Sequence, residues 1–372
     1  MLNPAMTERG VDALEWSFIG VVLGILVVGI LSIYSVTSKS LLTMFPVYLK
    51  QSIWILVGLL AFWVIGSMDY HKLARLSIVF YGIGLLLLIG VFLIGKNSRG
   101  AQRWIPLGPL AMQPSEFVKL PLILMLASYY SNKVRQGWWY RVIIPALITL
   151  PGFVLILKQP DLGSSLGFLA IYVTLLLAVG VKSKAFGLVL LSALMLFPFA
   201  WGGLWGSLHD YQKERIISFV DPAYDPGGKG YHGLQSRIAI GSGEIVGKGL
   251  HRGTQTQFKF LPEGHTDFVF AVFAEVWGFL GALLLLSLFL SLFLIGFEIA
   301  AKAKDLLGAL LTIGVIGMIV FGVIVNIAMT LGLAPIVGIP LPLMSYGGSS
   351  MIMTMASLGL LLSVRRRRLT LS

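Results

Sequence analysis

The chain has 372 residues, 57% of them hydrophobic and 12% charged, with a mean hydropathy of +0.88, more apolar surface than one water-soluble globule can hide. It has no cysteine, which excludes disulfides and thiolate metal centres. The net charge of +12 would suit a nucleic-acid partner, but the bases sit mostly in short loops between apolar runs and in the tail from Arg365 to Arg368, a placement that fits membrane orientation instead.

In chain order, apolar stretches run over 16–36, 49–66, 76–95, 115–131, 141–157, 162–180, 184–203, 266–298, 306–330 and 342–364. Most approach the ~20 residues that carry a helix across ~30 Å of hydrocarbon. The expected fold is therefore an all-α polytopic membrane protein of about ten transmembrane helices, read as a single membrane domain over 1–372. The first stretch is too long for a signal-peptide core and follows Glu8, Asp12 and Glu15 rather than a basic region, so it reads as a retained span. Only Lys158-Gln159-Pro160-Asp161 separates the fifth and sixth stretches, whereas a long connection, about 204–265, separates the seventh and eighth.

Positive residues set the orientation. Lys72 and Arg75, then Lys133, Arg135 and Arg141, then Lys182 and Lys184, then Lys302 and Lys304, fall with both termini on one side, which the positive-inside rule makes cytoplasmic. The long connection then lies outside. On that outer face gather Arg103, Glu116 and Lys119 at the start of the fourth span, Asp161 at the fifth-to-sixth hairpin, Asp267 opening the eighth span, and Ser345 to Ser349 opening the tenth.

Glu116 and Lys119, three apart, share a helix face and can neutralise each other; a structural ion pair and a substrate-lining role are equally open to them. Pro114 and Ser115 look like a helix entry with Ser115 as its cap. Asp161 either caps the sixth helix or serves the site. Asp267 has the same option, but His265-Thr266-Asp267 crowds several polar groups at an apolar entrance, which favours chemistry. Glu275, eight residues on, lines the same cavity or bonds a neighbouring helix. In the long connection, Gly241-Ser242-Gly243 and Gly247-Lys248-Gly249, among charges such as Asp210, Lys213, Glu214, Arg215, Asp221 and Asp225, can cradle a diphosphate, although no nucleotide-binding pattern is present. The five histidines lack zinc-ligand spacing, leaving Asp161 and Asp267 as the candidate oxygen ligands of a hard divalent cation, magnesium or manganese.

The segments Ser98 to Trp104, Gln113-Pro114-Ser115-Glu116, Gln159-Pro160-Asp161-Leu162-Gly163, Phe260 to Phe268 and Pro342 to Ser349 resemble the motifs of the shape, elongation, division and sporulation (SEDS) family over nearly the whole chain. His209-Asp210-Tyr211-Gln212, Ile238 to Gly243 and Gly253 to Gln257 are closer to the rod-shape branch than to the division branch. The resemblance implies a peptidoglycan glycosyltransferase of the bacterial cytoplasmic membrane, polymerising lipid II outside during cell elongation. It implies a class B penicillin-binding protein as transpeptidase partner, other elongation-complex membrane proteins and membrane lipids as neighbours, and Asp267 as the essential carboxylate. The substrate-binding candidates are Arg103, Glu116, Lys119, Asp161, His265, Lys248 and Ser345.

Chemistry agrees with that expectation. Outside the membrane no nucleotide sugar is at hand, so the leaving group must arrive on the substrate as a lipid diphosphate, and neither a nucleotide nor an organic cofactor is required. Asp267 would act as general base on the acceptor hydroxyl while Arg103 and Lys119 neutralise the departing diphosphate. A lipid II flippase and a non-catalytic scaffold of the cell-wall machinery are the alternatives. Against the first, no repeat relates the two halves, and the polar residues cluster on one face rather than lining a path.

Overall fold

The computed structural model describes residues 4–37, 46–98, 101–108, 110–133, 137–180, 229–257, 260–261 and 264–368, with positions 213, 217 and 219 between them. The expected span 184–203 lies outside the described residues, as do Asp210, Glu214, Arg215, Asp221 and Asp225.

Each of the other apolar stretches falls on a helix, because hydrocarbon offers the backbone no partner and a helix satisfies its own polar groups. The elements are α1 (Pro4–Thr37), α2 (Val47–Ser67), α3 (Tyr70–Arg75), α4 (Ser77–Ile94), α5 (Pro114–Lys133), α6 (Ile144–Lys158, entered through a π-turn over Trp139–Ile143), α7 (Leu162–Ala178), α8 (Lys229–Ser242), α9 (Thr254–Gln257), α10 (Val269–Ala301), α11 (Leu306–Thr330) and α12 (Gly348–Arg366). Among the described residues, seven helices are long and apolar enough to cross a membrane.

Three features depart from the sequence reading. Residues between α4 and α5 form a small antiparallel sheet, β1 (Lys96–Ser98), β2 (Ala101–Leu107) and β3 (Leu110–Met112), in the order β1-β2-β3. β1 and β3 are too short to show a periodicity, and the sequence of β2 does not alternate apolar with polar. The stretch 266–298 is not one helix from its start: helix begins at Val269 and is broken at Gly278, so 269–277 is a separate half-helix and 279–301 alone is long enough to span. In 342–364 the helix begins only at Gly348, leaving the chain before it free to form irregular loops at the site.

α12 is the innermost column. It is the most buried of the candidate spans and the least apolar among them. It lies against α2 along a seam of small residues. A Cβ at Gly359 would fall 2.4 Å from the Phe62 carbonyl oxygen, so the two backbones touch as only small residues permit. Leu56, Leu60, Leu86 and Leu93, by contrast, are exposed on outer faces where lipid would cover them.

The helix ends gather into two groups. At one end Arg366 bonds the Glu15 carboxylate, linking the two terminal helices. Beside it, His71 bridges Asp69 at 3.1 Å and Asp305 at 2.6 Å, while Arg367 donates to the Ser67 carbonyl and lies 3.7 Å from Asp69. Burial works against the charge on Asp69, but hydrogen bonds from the His71 N–H and ring, with Arg367 nearby, outweigh it and hold the carboxyl below its ordinary range. A carboxylate whose pKa is depressed by folding stabilises the fold above its unfolded value, and that contribution disappears as pH falls through the folded one. The expected result is a melting temperature that drops on acidification below about pH 4 and a Asp69→Asn protein in which this acid-dependent part is missing, read by thermal unfolding in detergent.

Candidate active site

The opposite end carries Asp267. It does not head a helix as expected; it sits in the turn 264–268, just ahead of the half-helix that starts at Val269. Three successive carbonyls of that turn are held from outside. Tyr346 N–H donates to His265 O at 2.8 Å, Ser345 Oγ to Thr266 O at 2.6 Å, and Asn326 Nδ2 to Asp267 O at 2.9 Å. The second N–H of Asn326 reaches Ile339 O at 2.8 Å, so one buried amide ties the turn to the loop before α12. With its backbone fixed this way, the half-buried Asp267 side chain points past Gly338, where a built Cβ would lie 3.4 Å from Oδ2. Gly338 has φ +76, a backbone conformation that glycine adopts without strain.

Ser345 and His265 belong to the same unit. The Ser345 hydroxyl donates to Thr266 O and accepts from Leu341 N–H at 2.8 Å, and Gln51 of α2 clamps the segment from the other side, donating to Ser345 O at 3.2 Å and accepting from Gly347 N–H at 3.3 Å. The His265 ring lies 5.8 Å from that of Tyr346, centroid to centroid. Ser345 therefore holds the loop that holds Asp267.

A second cluster surrounds Asp161, which is 3% exposed. It caps α7 by accepting from Ser164 N–H at 3.2 Å, and its other oxygen accepts from Gln113 Nε2 at 3.0 Å and Ser115 Oγ at 3.3 Å. Ser115 is thus not the cap of α5, which starts one residue earlier at Pro114; its hydroxyl turns to Asp161 and Ser164. Arg103 lies with Nη1 3.8 Å from Asp161 and donates to the carbonyls of Gln159 and Pro160, joining β2 to the α6–α7 hairpin. Glu116 and Lys119 form an ion pair on α5, and Lys119 Cε lies 3.7 Å from the Cβ position of Gly167 on α7.

The two clusters are joined. A Cβ at Gly163 would lie 2.9 Å from Val337 O, on the loop that passes Asp267, and Gln113 N–H donates to Ser349 Oγ at 3.1 Å. Arg103, Glu116, Lys119 and Asp161 thus stand together on one side of the 337–339 loop, with Asp267, His265 and Ser345 on the other. Lys248 is engaged elsewhere, its Nζ bonded to Glu275 at 3.0 Å and to Thr254 Oγ1 at 2.9 Å.

As a cation ligand, Asp161 fits poorly. Both oxygens of Asp161 already accept from neutral donors with a guanidinium close by, leaving it no open face for a hard cation. Among the described residues, no group of three or more His, Cys, Asp or Glu side chains is placed to hold a metal ion. The sequence reading missed Asn326 and Gln51, although each had a signal: an amide in an otherwise apolar stretch, 306–330 for one and 49–66 for the other.

This geometry has close counterparts. Over 292 residues, 78% of each chain, the protein is 40% identical to the peptidoglycan glycosyltransferase MrdB of Escherichia coli K12. It is 32% identical to the peptidoglycan glycosyltransferase RodA of Treponema pallidum, over 98% of this chain and all of that one. Its fold matches a chain of a peptidoglycan synthase complex described as coordinating polymerization and crosslinking, with TM-score 0.81 and 34% identity over 95% of this chain and 98% of that one. The rod shape determining protein RodA of Thermus thermophilus matches with TM-score 0.70 and 30% identity, over 95% and 97% of the two chains. Residues 15–369, which include both clusters and every described span, match the cell cycle protein family of FtsW, RodA and SpoVE, and the chain belongs to that family.

Proposed function

We propose that this protein joins lipid II units into glycan strands at the outer face of the bacterial cytoplasmic membrane, with Asp267 as the general base. It is a multi-pass membrane protein and a peptidoglycan glycosyltransferase, as its relatives MrdB and RodA are. The observation that carries the mechanism is the seating of Asp267: a carboxylate on a turn whose three carbonyls are held by three separate partners, across a short loop from Arg103, Lys119 and their acids.

The acceptor sugar hydroxyl gives its proton to the Asp267 carboxylate as its oxygen bonds to the donor's anomeric carbon. The bond from that carbon to the lipid diphosphate oxygen breaks, and the diphosphate leaves with the electron pair. Lys119, with two N–H groups beyond the one given to Glu116, and Arg103 would neutralise that growing charge. The base role of Asp267 needs no cation.

The end bearing Glu15, Asp69, Asp305 and the arginine tail is assigned to the cytoplasm from its positive residues, which puts the Asp267 end outside. A class B penicillin-binding protein is the partner proposed to crosslink the strands. Support comes from the structural relative that belongs to a complex coordinating polymerization and crosslinking.

Detergent-purified protein given lipid II, alone and with the partner transpeptidase, is expected to produce glycan strands. Movement of lipid II across vesicles with no strand formed would overturn the assignment in favour of a flippase.

A further inference from the structure

The helix after Asp267 ends abruptly. At Gly278 the backbone turns to φ 64° and ψ −164°, a region essentially reserved for glycine, and the break leaves carbonyls before it and N–H groups after it without partners in their own helix. The loop after α8 supplies them. Lys248 N–H donates to Glu275 O at 3.0 Å and Gly249 N–H to Val276 O at 2.9 Å, while Phe279 N–H donates to Glu244 O at 2.8 Å and Leu280 N–H to Ile245 O at 3.0 Å.

Glu275 stands at this far end of the half-helix and is fully buried. A buried carboxylate persists only where donors meet it. Here Lys248 Nζ and Gln255 N–H each approach Oε1 at 3.0 Å and Thr254 Oγ1 approaches it at 3.3 Å, all from the segment 248–255. That segment passes so close that a Cβ at Gly253 would lie 2.7 Å from Oε2. None of these contacts reaches the reacting groups proposed above.

A piece of helix about 13 Å long does not hold itself in place. Its buried faces are packed along its length, and its ends are gripped separately: the carbonyls of 265–267 at one, and Glu275 with the stitched loop at the other. We infer that Glu275 is a positioning residue for Asp267, its carboxylate locking the half-helix 269–277 to the segment 248–255 so that the Asp267 side chain keeps its direction past Gly338. The inference rests on the reading of Asp267 as the base. It gives Lys248, first considered as a diphosphate ligand, the task of neutralising the lock.

The test is steady-state strand synthesis by the full-length protein in detergent, with rates expressed per folded monomer from size-exclusion chromatography. Glu275→Ala is expected to lower kcat about 10- to 100-fold and leave KM for lipid II within about twofold, because a displaced base slows chemistry without weakening substrate binding. Glu275→Gln keeps the shape and the bonds from Gln255 and Thr254, so kcat should recover to about two- to fivefold below the parent. A structural role alone would reduce the yield of folded monomer and leave kcat per monomer at the parent value, and that result overturns the inference. So does a rise in KM with kcat unchanged, which would place 248–255 on the substrate. Should the alanine protein not fold, the glutamine protein decides, and parental kcat there is fatal to the idea. Asp267→Asn is assayed alongside. If it is inactive while both Glu275 variants match the parent, this inference alone fails; if it is fully active, the base reading fails first.

Discussion

Asp267→Asn is expected to lower the rate of strand synthesis by about 10²- to 10⁴-fold, the usual contribution of a positioned proton acceptor, while the folded protein is recovered in normal yield. Normal folding follows from how the turn is held. Its anchors are the backbone carbonyls of 265–267, which accept from Tyr346, Ser345 and Asn326 and are untouched by the change from carboxylate to amide. The amide fills the same space beside Gly338 but cannot take a proton. Asp267→Glu keeps the charge and moves it by roughly one C–C bond beside Gly338, which has no side chain, so it should be partly active. Full activity in the asparagine protein would remove Asp267 from the chemistry.

The largest effect on stability is expected at the helix break. Gly278→Ala should cost about 3 kcal/mol or more, from a backbone region that side-chain-bearing residues avoid and from overpacking. The added Cβ would lie 2.3 Å from Gly247 N and 2.7 Å from Ile245 O, and both are backbone atoms fixed by the stitch, so nothing flexible can yield. Gly241→Ala is the matching control, since a Cβ there meets nothing within 4 Å. Thermal unfolding in detergent should show a sharp loss for the first and little change for the second. Equal melting temperatures would mean that the break is not as tightly closed as described.

What the sequence allowed to be read follows from the solvent. Spans such as 306–330 are legible because lipid requires both an apolar surface and a self-satisfied backbone, and the helix found there has the expected limits. The gathering of Arg103, Glu116, Lys119, Asp161 and Asp267 at one end was legible from alternation of the spans. The break at Gly278 was not, because its cause is a long-range stitch to residues 244–249, and a glycine among Trp277 and Phe279 looks like any other in an apolar run. Nor was the division of labour among polar residues. Ser345 in a motif and Asn326 in a greasy helix carry comparable holding roles, yet only the first had a recognisable neighbourhood.

The central place of α12 bears on how the protein comes to be inserted. The nineteen residues from Gly348 to Arg366 follow the other candidate spans in chain order and are the least hydropathic of them, so they have the weakest individual tendency to partition into the bilayer. Their insertion must be driven by docking into a slot already lined by α2, where Gly359 meets Phe62, more than by their own affinity for hydrocarbon. The docking of α12 thus acts as a keystone, and a nascent chain cut short before it would present an open furrow to the quality-control machinery of the membrane.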